Sequence, residues 1–123
     1  MIANAELAGI EHLWDAGLHP LYDDYLEACD GFGVDKREPL ALAGALVELA
    51  LGEQRLGREA ARPAALLVAD LCLARASRLL AESAPVSVQV GFARAVEDAA
   101  TAAVAGVAEP VRPRLVEVLR GGG

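Results

Sequence analysis

The sequence predicts an all-α fold, and two observations support this prediction. Hydrophobic residues make up 54% of the 123 residues and aromatic residues only 4%, so the apolar content is mostly Ala, Leu and Val. Ala and Leu, the most abundant of them, favour closely packed helices over sheets. Apolar residues also recur at helical spacing, as Leu7, Ile10 and Leu18 do near the start. Together with the length, this pattern predicts one domain, residues 1–123, built as a compact helical bundle.

The first part of the chain predicts two helices and a turn. We expect a helix from Asn4 to Leu18, which Gly17 and Pro20 bring to an end. A second, short helix follows and ends near Cys29. Residues 30–34 are rich in turn-forming side chains and separate this helix from the next.

Proline and glycine residues divide the rest of the chain into four further segments. Proline suits the first turn of a helix, so Pro39 and Pro63 each mark a start. The segments that we expect run from Pro39 to about Arg55, from Pro63 to about Ser83, from Ser87 to about Val107, and from Pro110 to Arg120. The terminal residues 121–123 are all glycine, and we expect them to fray.

Two of these helices are unusually apolar. A surface helix normally carries one apolar stripe of roughly 100°. Residues 40–51, however, contain only Gly44 and Glu48 as non-apolar positions, and after Pro63 the stretch to residue 74 contains only Asp70. We therefore expect both helices to be buried almost all round, and part of their surface to be covered by a partner.

Charge and composition exclude several classes of function. The net charge is -7, and residues 1–35 contain eight acidic side chains and no Lys or Arg. This balance does not support nucleic-acid binding, which depends on cationic side chains. No apolar run reaches the ~20 residues of a membrane span, and the first residues do not resemble a secretory signal. We expect a cytoplasmic protein in which Cys29 and Cys72 are buried free thiols without a metal or redox role.

Three segments between residues 40 and 107 resemble the trans-prenyl diphosphate synthase family. Residues 64–81 read AALLVADLCLARASRLLA and resemble the family's helix LLxGDxLLARAxxLLA, with Asp70 on the aspartate and Ala69 where the family has glycine. Residues 45–56 resemble the preceding helix, which in catalytic members ends in the magnesium-binding motif DDxxD. Here Gly52, Glu53, Gln54 and Arg55 stand at that place. Residues 92–106 resemble the family's next helix.

The missing aspartates and the short length make the chain most similar to the non-catalytic small subunits of hexaprenyl and heptaprenyl diphosphate synthases. The resemblance implies part of the isoprenoid synthase fold, paired with a catalytic large subunit that makes long chains for menaquinone. It implies no cofactor in this chain and magnesium only in the partner. It also places Leu46, Leu49, Leu67 and Leu71 at the partner interface or beside the growing chain, with Asp70 either in a structural pair, for example with Arg55, or against the partner.

Other candidate chemistry is weaker. Asp23, Asp24 and Glu27 follow a spacing that places carboxylates on one helix face, as a magnesium site requires. No second acidic motif and no basic phosphate-binding cluster accompanies them, so a solvated acidic helix turn is the favoured interpretation. His12 and His19 are seven residues apart with Gly17 between them, which does not favour an acid-base pair.

Two interpretations of function remain open at the level of sequence. The first is an accessory subunit of a prenyltransferase, without catalytic activity of its own and able to self-associate when alone. The second is a helical homodimer or adaptor unrelated to prenyl chemistry, which explains the same apolar helices. A stand-alone metal-dependent enzyme is disfavoured because the sequence shows no complete site.

Overall fold

The computed structural model describes residues 7–56, 63–107 and 110–122; of residues 53–56 and 63–66 it describes the backbone alone. This part of the chain is helical and contains no strand, which confirms the all-α prediction. Its elements are α1 (Glu11–Leu13), a wide helical turn (Trp14–Leu18), α2 (His19–Ala28), α3 (Val34–Leu56), α4 (Pro63–Ser83), α5 (Val86–Val104) and α6 (Arg112–Gly122). None of the described helices is long and apolar enough to cross a membrane.

The N-terminal helical path bends at Gly17 and does not stop there. Gly17 has a φ of 130°, which side-chain-bearing residues rarely adopt, and the helix continues from His19 into α2. Pro20 lies in the first turn of α2, where its missing N–H is not needed. The predicted end of the first helix is therefore a bend, while residues 4–6 lie outside the described part of the chain.

α3 begins at Val34, so the predicted start at Pro39 is wrong. The carbonyl of Gly33 accepts hydrogen bonds from the backbone N–H groups of Lys36 at 2.9 Å and Arg37 at 3.1 Å, which start the helix earlier. Pro39 lies in the second turn. There its missing N–H releases a carbonyl one turn earlier, where the chain is exposed to water.

The later boundaries agree more closely with the sequence. α4 spans the predicted residues, and α5 and α6 begin and end within three residues of the expectation. Gly121 and Gly122, where we expect fraying, belong to α6 in the structure. Gly122 packs so closely on Val88 that a side chain would not fit there, and Gly123 lies outside the described residues.

α3 is the centre of the fold. Residues 40–47 are all buried, and the side chains of Leu40, Leu42 and Leu46 are completely inaccessible. α4 covers α3 most extensively, α2 covers it next, and α5 and α6 contact it more lightly. The prediction of all-round burial is confirmed for this part of α3, which the chain buries by itself.

Within this chain, α4 is buried on one side only, and the expected cover of its other side by a partner stays a prediction. Ala69, Cys72 and Ala76 are buried, whereas Leu67 is 68% exposed and Leu71 is 37% exposed. α4 lies at the edge of the bundle, where α3 covers one side of it and no other described helix packs on it extensively. Its opposite side therefore remains open.

The close approach of α2 and α3 depends on Gly44. A Cβ atom at this position would lie 2.7 Å from Cδ1 of the fully buried Tyr25, closer than real contacts allow. We predict that Gly44→Ala lowers the free energy of unfolding, because overpacking costs ~1–3 kcal/mol and outweighs a gain in helix propensity of up to ~1 kcal/mol.

Gly52 provides the matched control, since it belongs to the same helix and a Cβ there would meet no atom of the described side chains within 4 Å. Gly52→Ala should raise the free energy of unfolding by ~0.5–1 kcal/mol. Urea denaturation of the two variants measures both effects. Equal changes in the two variants would show that Gly44 is not a packing position.

Candidate interaction surface

The side of α4 that faces away from α3 carries a regular seam. Leu67, Leu71, Ala74 and Arg78 are spaced by four, three and four residues, so they share one face, and all four are exposed. This is the spacing with which one helix packs along another. We call these four residues the outer seam of α4.

One flank of the seam is already occupied. Arg75 donates a hydrogen bond from Nη2 to the carbonyl oxygen of Ala8 at 2.6 Å, so the N-terminal residues lie against this side of α4. Gly9 approaches the same guanidinium, with a φ of 86° that favours glycine. The outer seam is therefore bounded on one side by the N-terminal segment.

The residues that the sequence assigned to a partner interface fall into different environments. Leu67 and Leu71 are exposed on the outer seam, and Asp70 is exposed beside them. Leu46 is completely buried, because α3 is enclosed by its neighbours, and Leu49 is half-buried against the core. In this structure Leu46 is therefore not accessible to a partner or a growing chain.

Asp70 does not need the buried partner that the sequence suggested. Its carboxylate is exposed on an open helix face, so the desolvation cost that motivated a structural pair does not arise. The side chain of Arg55, the suggested mate, lies outside the described residues.

An open apolar groove of about 430 Å³ runs between α4 and α5. Val47 of α3 also lines it. Its walls are formed by Leu73, Ala76, Ser77 and Leu80 of α4 and by Gln89, Phe92, Ala93 and Val96 of α5. The groove arises because α5 contacts α3 and α4 only sparsely. The helix pattern did not reveal it, since its residues come from helices that are far apart in the sequence.

The acidic triplet near the N-terminus is exposed and takes part in ion pairs. Asp24 accepts a hydrogen bond from Nη1 of Arg112 at 2.9 Å, and Asp23 lies 3.5 Å from Nε2 of His19. Within the described ranges, no three His, Cys, Asp or Glu side chains are grouped closely enough to hold a metal ion. The structure thus brings Asp24 to a cation of α6.

A partly exposed polar cluster that joins three helices went unrecognised in the sequence. Arg112 of α6 donates to both carboxylate oxygens of Glu48, from Nε and Nη2, each at 2.8 Å. The hydroxyl of Tyr25 donates to the same carboxylate at 2.9 Å. Glu48 thereby joins α2, α3 and α6, while Arg112 also reaches Asp24.

The electrostatics of this cluster follow from its geometry. The two hydrogen bonds to the Glu48 carboxylate raise the pKa of Arg112 above its usual range, with nearby negative charge adding to the effect. Burial raises the pKa of Tyr25, and the Glu48 carboxylate raises it further. The one sequence signal for this site was a single carboxylate, Glu48, within the apolar run of α3.

Aromatic rings support the bend near the N-terminus. Trp14 stacks on His19 with ring centroids 4.4 Å apart, and it also contacts Tyr22 at 5.3 Å. The hydroxyl of Tyr22 is buried and has no hydrogen-bond partner among the described residues. Burial raises its pKa to about 12.

The two cysteines are both buried and form no disulfide with each other, as expected from the sequence. Burial raises the pKa of the Cys29 thiol to about 12, with the charge of Asp30 adding to this effect. A thiol with so high a pKa is a poor nucleophile at neutral pH.

Comparison with known proteins identifies no relative. No family model matches the chain, and neither a curated protein nor a solved structure matches it. The resemblance to prenyl synthases therefore rests on the residue patterns between positions 40 and 107.

Tyr22 and Tyr25 provide a matched pair of tests for the buried hydroxyl groups. Tyr22→Phe should raise the free energy of unfolding by about 1 kcal/mol, because it removes a buried polar group that lacks a partner. Tyr25→Phe should lower it by about 1–2 kcal/mol, because it removes a hydrogen bond to a carboxylate. Urea denaturation near neutral pH measures both changes, and changes of the same sign would contradict this assignment.

Tyr22→Phe should also change the response of stability to alkaline pH. Folding raises the pKa of Tyr22 from 10.0 to about 12. As the pH rises above 10.0, the unfolded chain loses this proton first, so the stability due to neutral Tyr22 falls between pH 10.0 and about 12. Tyr22→Phe should lose less stability than the wild type across this interval, and an identical loss would contradict the raised pKa.

Proposed function

We propose that this chain is a non-catalytic accessory subunit that binds a helix of a larger catalytic trans-prenyltransferase along the outer seam of α4. One observation carries the proposal: Leu67 and Leu71 lie one turn apart on an open face, while the core of the same chain is already enclosed. Exposed apolar side chains at this spacing are typical of a helix that packs on another helix.

The magnitudes show how large the contact must be. Burying two leucine side chains contributes at most roughly 3–6 kcal/mol, and Leu71 is partly buried already. Association costs ~4–15 kcal/mol before any net affinity results. The interface must therefore extend along most of α4, and the apolar groove beside it offers the additional area.

The resemblance supplies the identity of the proposed partner. Residues 64–81, which contain the outer seam, are those that resemble the LLxGDxLLARAxxLLA helix of trans-prenyl synthases. Gly52, Glu53 and Gln54 stand where catalytic members have magnesium-binding aspartates. In this proposal the partner supplies the magnesium site and the chemistry, and this chain supplies one wall of the assembly for long-chain polyprenyl diphosphate synthesis.

Fewer residues than the sequence suggested are accessible for contact with the growing prenyl chain, and thus for a role in product length. Leu46 is enclosed in the core, so Leu67 and Leu71 are the accessible candidates for contact with a growing prenyl chain. Self-association through the same leucines, as in a helical homodimer, is the competing interpretation. The composition of the assembly distinguishes the two.

We predict that the wild-type chain forms a hetero-oligomer with a trans-prenyltransferase encoded beside it, and that the double variant Leu67→Gln/Leu71→Gln binds at least ~10-fold more weakly. Glutamine preserves helix propensity and removes the apolar contact. Val104→Gln is the matched control, because Val104 is 90% exposed at the end of α5, outside the seam. Light scattering at micromolar concentrations measures the assemblies.

The activity of the separate components completes the experiment. The isolated chain should not condense allylic and homoallylic diphosphates in the presence of Mg²⁺, whereas the assembled complex should. Turnover by the isolated chain would contradict the accessory role. If this chain and the prenyltransferase stay separate, the accessory role is contradicted. A homodimer of this chain that persists when the prenyltransferase is added, and that the double variant abolishes, would favour the competing interpretation.

A further inference from the structure

We propose that α5 and α6 form a C-terminal hairpin that Arg112 latches onto α2 and α3, and that this latch sets the width of the groove between α4 and α5. The C-terminal hairpin is defined as residues 86–107 and 110–122. The inference concerns the motion of this unit and does not depend on the identity of a partner.

The hairpin is held together by its own contacts. α5 packs more extensively on α6 than on any other described helix. Gly91 of α5 lies so close to Val118 of α6 that a Cβ atom would come within 2.6 Å of the valine Cγ1. Arg114 of α6 also pairs with Asp98 of α5. These contacts let α5 and α6 move together.

The hairpin is attached to the rest of the bundle by buried leucines of α6 and by the charged hydrogen bonds of Arg112. Leu115 and Leu119 of α6 are buried, and Arg112 adds three hydrogen bonds to carboxylate oxygens on two other helices, namely Glu48 on α3 and Asp24 on α2. A guanidinium that grips one carboxylate with two donors fixes orientation as well as distance. Arg112 therefore determines how the hairpin sits on α2 and α3.

The groove lies across the boundary between the two moving parts. Leu73, Ser77 and Leu80 belong to α4, which is packed firmly on α3, whereas Phe92 and Val96 belong to the hairpin. A rotation of the hairpin relative to α3 changes the separation of these walls.

The connection between the two parts is short and suited to a hinge. Only Ala84 and Pro85 separate α4 from α5, and Pro85 has an extended conformation with φ -64° and ψ 158°. A change at one or two element-terminal residues is enough for a helix pair to swing. Gln89 donates a hydrogen bond to the Ala84 carbonyl at 3.0 Å, which holds the first turn of α5 against this connection.

The latch is accessible to solvent and is therefore adjustable. The side chains of Arg112 and Asp24 are 41% and 54% exposed, and that of Glu48 is 21% exposed. Ion pairs with such exposure weaken as ionic strength rises, because mobile ions screen the charges. Salt should consequently widen the groove in the wild-type chain, and this response should depend on Arg112.

Spin labels on the two walls measure the width directly. Ser77→Cys and Ala93→Cys place labels at exposed positions of α4 and α5, while Cys29 and Cys72 are buried and remain unlabelled. Removing the latch with Arg112→Gln should lengthen the mean distance between labels by at least ~2 Å, the scale of helix shifts at packed interfaces. High salt should produce a smaller shift in the same direction in the wild type, because the partly buried Glu48 pair is screened less than the Asp24 pair. It should produce little further change in Arg112→Gln.

Arg114→Gln is the matched control, since it removes a neighbouring arginine whose ion pair lies within the hairpin. It should leave the distance and its salt response unchanged. Equal shifts in both variants, or a wild-type distance that does not respond to salt, would overturn the proposal.

Hydrogen exchange distinguishes a latch from general support of the fold. In Arg112→Gln, amides of α5 and α6 should exchange ~10-fold faster, equivalent to about 1.4 kcal/mol, with α2 and α3 unchanged. A uniform increase across all helices would overturn the proposal. If Arg112→Gln does not fold, Asp24→Asn removes one exposed contact of the latch and should give a smaller shift in the same direction; no shift would equally overturn it.

Discussion

The burial of α3 on all sides is the constraint on which the rest of the structure depends. A helix can be enclosed in so short a chain only if its neighbours approach closely, and the small residues of α3 permit this. Gly44 accommodates the ring of Tyr25, and alanines at positions 41, 43 and 45 are fully buried between bulkier neighbours. The polar end of the same contact is satisfied as well, since the Tyr25 hydroxyl meets the carboxylate of Glu48.

Enclosure of α3 has two consequences for the surface. α4 and α2 cover most of α3, while α5 and α6 contact it lightly, and α4 lies at the edge of the bundle. Its outer seam remains available because the chain has no further described helix to place over Leu67 and Leu71. α5 packs only sparsely on α4, and the groove lies between them. The hydrogen bonds of Arg112 therefore contribute much of the attachment of α5 and α6 to the bundle.

Much of the fold was predictable from the sequence, and the exceptions have physical causes. Composition and periodicity predict the helices, and Pro63 marks the start of α4 correctly. Pro39 does not mark the start of α3, because a proline is tolerated in the second turn of a helix where the carbonyl that it leaves without a hydrogen bond is exposed to water. Apolar content alone did not distinguish Leu46, which is enclosed, from Leu67, which is exposed, since burial depends on where a helix lies in the bundle. The Glu48 and Arg112 pair joins residues 64 positions apart, a separation that no local pattern reveals.

The described helices enclose the core around α3, whereas the outer seam of α4 is surface. The free energy of unfolding of the isolated chain tests this difference in two variants, Leu46→Ala and Leu67→Ala. Leu46→Ala should lower the free energy of unfolding by ~2–5 kcal/mol, because Leu46 is enclosed. Leu67→Ala should change it by no more than ~0.5 kcal/mol, because Leu67 is exposed. Comparable losses at the two positions, or an isolated chain without a cooperative unfolding transition, would contradict the account.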